Sequence, residues 1–131
     1  MTKLFKVAFT ALLAIFLGNQ TFAQKFVVPA GADTIKNPLK NNPAAAVEGK
    51  KLYTMYCVIC HGEKGKGDGA AVAGLPKHPA NHSLAAFQNQ SDGSIYWKTA
   101  NGNNPMPPYK ASLKPNQIWQ LVSYMRTLKQ P

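Results

Sequence analysis

Cys57 and Cys60 are the only two cysteines of the chain, two residues lie between them, and His61 follows directly. Four chemistries begin with such a stretch: a disulfide, a zinc site, a redox dithiol and a covalent haem attachment. Structural zinc takes four ligands, mostly Cys and His. This stretch supplies three at most, His61 sits awkwardly beside Cys60, and a fourth ligand would have to come from His78 or His82. A thioredoxin-like dithiol wants a strand before the pair and a helix after it. Here a helical pattern comes before, and Gly62 to Gly69, with four glycines in eight residues, comes after. A disulfide would close only a very small ring and leaves His61 and the glycine loop without a purpose.

Cys-x-x-Cys-His is instead the spacing of covalent haem attachment. The two thiols add to the two vinyl groups on one porphyrin edge as thioethers. An imidazole next to the second cysteine, at the end of a helix, can then swing under the ring and bind iron. Cys57 and Cys60 are read as tethers of one haem c, and His61 as its proximal axial ligand. For the other axial position the chain offers Met55, Met106, Met125, His78, His82 and its lysines. Met55 and Met125 fall within helical patterns and read as core filler. His78 and His82 read as surface residues. Met106 lies in Asn103-Asn104-Pro105-Met106-Pro107-Pro108-Tyr109, a loop stiffened by proline on both sides. Such a loop presents a thioether at a fixed position with little ordering cost, and Met106 is the expected sixth ligand.

The elements that must position these groups are helical. Asn42-Pro43 is a helix start, with Asn as N-cap and Pro at the first helical position. Val47, Lys51-Leu52, Met55 and Val58 follow at helical spacing, with Gly49 and Tyr53 one turn apart on a neighbouring stripe. Pro76 and Pro79 keep the stretch after the glycine loop irregular. Ser91-Asp92-Gly93-Ser94 can cap a short helix over Ile95 to Ala100. Pro115 opens a last helix whose Ile118, Leu121, Val122, Met125 and Leu128 share one face. There is no strand pattern.

The first part of the chain reads as an export signal. Lys3 and Lys6 precede an apolar run, Val7 to Leu17, and Thr21-Phe22-Ala23 fits a signal-peptidase site, so residues 1–23 are expected to be removed. The run is 11 residues long, too short to span the hydrocarbon core of a bilayer. Residues 24–42 then form an extended arm, laid against the domain through Phe26, Val27 and Val28, and residues 43–131 form one small domain. The localisation this predicts is the periplasm or the outer face of the cytoplasmic membrane. Of 131 residues, 15 are Lys or Arg and 5 are Asp or Glu; without Lys3 and Lys6 the net charge is +8. Only one of these basic residues is Arg and no nucleic-acid motif is present. An acidic protein partner or an anionic membrane surface suits an exported protein better than nucleic acid.

With these residues in view, the chain resembles the class I mono-haem cytochromes c, in particular small bacterial respiratory-chain cytochromes. The resemblance covers Gly49 and Tyr53, the motif Cys57 to His61, the loop Gly62…Gly67-Asp68-Gly69, Ser91-Asp92-Gly93, Asn101-Gly102, Met106-Pro107, and a closing helix with Leu121, Tyr124 and Arg126. It implies an all-α, cytochrome c-like fold with N- and C-terminal helices crossing over the covalently bound haem. Gly49 would let the closing helix approach, and Tyr53 would pack against Leu121 and Tyr124. The carbonyl of Pro79 or Pro76 would accept the Nδ1–H of His61, fixing the ring and raising its basicity. Trp97 would form a haem wall or bond a propionate, and Tyr109 joins Trp97 and Pro79 among the cofactor-binding residues. With both axial positions filled, the function implied is transfer of one electron between respiratory complexes, not enzymatic turnover. Lys64, Lys66, Lys77, Lys98 and Lys110 would form a basic docking face for acidic redox partners, such as a quinol-oxidising complex and a terminal oxidase. Two other readings stay open: a fixed mono-haem subunit of a larger membrane redox complex, and a haem sensor or enzyme with an open sixth site.

Overall fold

A computed structural model describes residues 26–131; the expected signal segment, residues 1–23, lies outside the described residues. Five α-helices follow in order: α1 (Pro43–Tyr56), α2 (Val58–His61), α3 (Ala85–Gln88), α4 (Asp92–Asn101) and α5 (Pro115–Thr127), with single 3-10 turns at Ala32–Thr34 and Val72–Gly74. The described residues contain no strand, and the fold is all-α, as expected.

The helix starts follow from capping chemistry. Asn42 Oδ1 accepts hydrogen bonds from the amides of Ala44 and Ala45, and Pro43 occupies the first position, where a missing amide proton costs nothing. Ser91 caps α4 by accepting from the Ser94 amide at 3.1 Å. Pro115 opens α5, and the Gln117 side-chain oxygen accepts from the Lys114 amide at 2.9 Å.

Among the described residues, the most extensive helix packing is between α1 and α5. It depends on Gly49, where an added methyl carbon would run into the Gln120 carbonyl and lie 2.9 Å from Tyr124 Cβ. One turn on, Tyr53 is fully buried and meets Tyr124 edge-on, ring centroids 5.1 Å apart. From α5, Ile118, Trp119, Leu121, Val122 and Met125 are buried, and Tyr96 stacks on Trp119 at 4.2 Å. Removing these side chains from water supplies the main stabilisation, about 1.5–3 kcal/mol for each large one. Arg126 pins the far end of α5. It pairs with Asp92 and donates to the carbonyls of Gln88 and Gln90, tying α3, α4 and α5 together with charge-assisted bonds.

Three expectations about packing need correction. Met55 is not core filler: it is 70% exposed. The buried face of α1 is Ala45, Gly49 and Tyr53, and Met55, two residues past Tyr53, points roughly 200° away from it. Val47 is exposed for the same reason. The arm is also not simply extended. Phe26 is half-buried, but the chain then makes a 3-10 turn whose Ala32 is buried, with its carbonyl against Gly93 of α4. Asn37 donates to Asp92 at 3.0 Å. Val27, expected to help hold the arm, is exposed.

Gly49→Ala is expected to lower the unfolding free energy by about 1–3 kcal/mol through overpacking at the helix crossing. Gly74→Ala, whose methyl would meet nothing within 4 Å, is expected to change it by no more than about 0.5 kcal/mol. Urea unfolding of the two variants checks both.

Candidate functional site

The helix that carries the crossing also delivers the cysteines. Cys57 closes α1, its amide donating to the Tyr53 carbonyl at 2.9 Å, and the chain turns at once into α2. His61, the last residue of α2, is held by its own amide on the Cys57 carbonyl at 2.8 Å. The glycine loop then folds back under the motif, with the amides of Gly67 and Gly69 bonding the carbonyls of His61 and Cys60.

These residues open onto a cavity of about 560 Å³, within the range of cofactor sites. Cys57, Cys60, His61 and Met106 all line it, and Phe87, Ile95 and Met125 give it an apolar interior. Both cysteines are free; Cys57 is buried and Cys60 half-buried. Burial, with Cys60 adding to it, pushes the Cys57 thiol up to about 12. No group of three His, Cys, Asp or Glu able to hold a metal ion occurs among the described residues.

His61 is buried, and its Nδ1 lies 3.0 Å from the carbonyl oxygen of Ala80. A carbonyl can only accept, so Nδ1 carries the proton and Nε2 keeps the free lone pair that binds a metal. Burial lowers the His61 pKa, and the Ala80 bond opposes that shift. The acceptor corrects the expectation of a proline carbonyl. Pro79 lines the cavity, but its carbonyl points toward Gly67, 2.7 Å from where a Cβ there would stand. Pro76 is exposed.

Met106 comes from the loop between α4 and α5. Its amide and carbonyl exchange hydrogen bonds with Asn103, both at 3.0 Å. The amides of Tyr109 and Lys110 then bond the carbonyls of Thr99 and Ala100, stitching the loop's end to α4. Gly102, at φ +63°, starts this turn, and a Cβ there would clash with the Met106 and Pro107 backbone. Tyr109 lines the cavity and its hydroxyl donates to the Tyr56 carbonyl at 2.9 Å; burial pushes its pKa up to about 12.

Other sequence expectations fall elsewhere. Trp97 does not line the cavity: on α4 the cavity side is Ile95, Lys98 and Thr99, and Trp97 instead meets Phe26 edge-on at 6.1 Å. His82, read as a surface residue, is 5% exposed. It is drawn inward because its amide bonds the Gly65 carbonyl and its Nδ1 hydrogen-bonds the Tyr53 hydroxyl at 3.0 Å. Met125 is buried as expected, but it also faces the cavity. Lys98 turns inward too, with its Nζ bonded to Gln90 and 5.5 Å from the Phe26 ring centre, and burial lowers its pKa. Lys64, Lys66, Lys77 and Lys110 remain exposed. Tyr56, Ala80, Phe87 and Ile95 also line the cavity without a signal in the sequence; Ala80 contributes only a backbone carbonyl, which no side-chain pattern marks.

The donor set fits haem c. Two unpaired cysteines, a histidine whose Nδ1 is taken up by the Ala80 carbonyl and a methionine line one apolar cavity. A family model described as Cytochrome c matches residues 46–129. Cytochrome c6 of Anabaena variabilis is 33% identical over 82 residues, covering 63% of this chain and 90% of that protein. Cytochrome c-554(547) of Halothiobacillus neapolitanus is 31% identical over 88 residues, covering 64% and 97%. Among solved structures, the Kuenenia stuttgartiensis reducing HAO-like protein complex Kustc0457/Kustc0458 superposes with a TM-score of 0.65 at 28% identity, over 73% of this chain and half the length of that one. The chain therefore belongs to the cytochrome c family, as a small mono-haem c-type cytochrome that binds haem c covalently.

Proposed function

We propose that this protein carries one electron at a time on a haem held by Cys57 and Cys60 and ligated by His61 and Met106, that it is exported, and that it exchanges electrons with acidic redox partners. The observation that carries the reading is that His61 and Met106 line one apolar cavity, each on a backbone fixed by hydrogen bonds. The haem supplies an iron that changes between ferrous and ferric states. Cys57 and Cys60 hold the group in place. Ala80 holds the proton of the neutral His61 ring on Nδ1, which leaves Nε2 as the atom that would ligate the iron. Met106, a soft thioether, favours the ferrous state, as does an apolar lining. With both positions taken by the chain's own side chains, no place remains for a substrate, and the protein is not an enzyme. The relatives named cytochrome c6 and c-554(547) support the carrier role.

The likeness to a chain of the HAO-like complex supports a second reading, a fixed subunit of a larger redox assembly. No helix among the described residues is long and apolar enough to cross a membrane, so such a subunit would be held by protein contacts or by residues outside them. Co-purification with membranes after a mild salt wash favours the subunit; a free periplasmic pool favours the carrier.

The ferric protein is expected to show a sulfur-to-iron charge-transfer band that Met106→Ala abolishes, together with a fall in reduction potential. Rapid carbon monoxide or cyanide binding by the unaltered protein, without that band, would instead indicate an open sixth site. Electron transfer with an acidic partner protein is expected to slow as ionic strength rises past about 0.1 M, where the screening length falls to roughly 10 Å. Stopped-flow rates that ignore salt would overturn the basic docking face formed by Lys64, Lys66, Lys77 and Lys110.

A further inference from the structure

One buried titratable side chain on the cavity, His82, is not among the proposed ligands. His82 lies flat against His61, ring centroids 4.2 Å apart and planes 22° from parallel. Its other neighbours leave it little freedom. Its Nδ1 is bonded to the Tyr53 hydroxyl, and the Tyr53 ring meets it at 5.8 Å. The Phe87 ring lies 4.4 Å away. Its amide donates to the Gly65 carbonyl, and its carbonyl accepts from Gln88 Nε2, which also reaches the Met125 carbonyl. The side chain and both backbone groups of His82 are thus tied to α1, to the glycine loop and to α3.

His61 by itself is less constrained. The single bond from Nδ1 to the Ala80 carbonyl fixes one point of the ring and permits tilting about that point. A flat, immobile ring against its face removes this freedom. The plane of an axial imidazole decides how the iron's two π-type d orbitals split, because the ligand donates into one more than the other. Partners of a ligating histidine set ring orientation in this way.

We propose that His82 is a positioning residue: a plate, anchored by Tyr53, that fixes the plane and tilt of the His61 ring and so sets the electronic asymmetry of the iron. The proposal rests on His61 being the axial ligand. It connects the helix crossing to the iron, because the tyrosine buried between α1 and α5 holds the plate.

The test uses the holo protein and three variants, His82→Leu, His82→Phe and Tyr53→Phe. Each is oxidised and saturated with cyanide, which replaces the sixth ligand, so the proximal imidazole alone orders the four haem methyl proton resonances. His82→Leu, which removes the flat ring, is expected to reorder these resonances or narrow their spread. His82→Phe retains a flat ring and is expected to keep the wild-type order. Tyr53→Phe keeps the plate but frees it, and is expected to shift the pattern less, in the same direction as His82→Leu. Wild-type patterns in both His82→Leu and Tyr53→Phe overturn the proposal, as does a His82→Phe pattern displaced as far as that of His82→Leu. Should His82→Leu fail to mature, Tyr53→Phe decides alone. Failure of Met106 ligation appears in the wild-type spectrum without cyanide and leaves this readout untouched.

Discussion

The close approach of α1 and α5 at Gly49 is the constraint from which the site is built. Ala45, Gly49, Tyr53 and Cys57 follow one another at four-residue steps, so they lie along one face of α1, each about 6 Å further on. The first two make room for α5, the third is buried in the crossing, and the fourth opens on the cavity. The helix therefore acts as a ruler. Once α5 is seated against Gly49, the position of Cys57 follows, and α2, one residue later, sets Cys60 and His61 relative to it. A side chain at position 49 would lift α5 away and move the roof of the cavity, since Met125 of α5 lines it.

How much of this could be read from the sequence varies with the kind of signal. The Cys57–His61 motif, the proline starts of α1 and α5 and the Ser91 cap are local. Each rests on bonds within a few residues, and each reads directly. The buried face of α1 is different. Val47 and Met55 are more apolar than Ala45 and Gly49, so periodicity favours the wrong stripe; a glycine that matters because it is empty contributes nothing to hydropathy. The acceptor for His61 was expected at a proline and is the next residue, Ala80, because any residue supplies a carbonyl and only the path of the loop selects one. The resemblance put Trp97 at the cofactor, but its place on α4 faces it to Phe26 of the arm. His82 failed for a similar reason: polar residues in proline-rich loops are usually exposed, and nothing local announces that Tyr53, 29 positions earlier, bonds it.

The motif sits at the end of α1 and in α2, and irregular loops complete the site around it. Met106 sits in a segment with no helical bonds of its own, yet its amide and carbonyl are both satisfied by Asn103, and the segment's end is bonded to α4. The glycine loop is handled the same way, with its amides turned back on the motif. Polar backbone in an apolar wall is costly when unpaired. Pairing it locally lets an irregular chain surround a large apolar group without opening to water.

A one-electron carrier works best when its ligands move little between redox states. This chain meets that need by holding its two proposed ligands from separate, independently fixed sides. The ring of His61 is bonded at Nδ1 to Ala80 and faced by His82, which is itself anchored to α1; Met106 is bonded to Asn103 at the end of α4. Neither arrangement depends on a surface side chain, so the basic exterior is free to serve partners. Lys98 marks the boundary between these two regions. Turned inward against Gln90 and Phe26, it belongs to the cavity wall rather than to the proposed docking face. The arm that supplies Phe26 reaches the same wall, after Ala32 and Asn37 have fastened it to α4. The arm is thus part of the enclosure of the cavity, and a segment that first reads as a tail contributes to the environment of the iron.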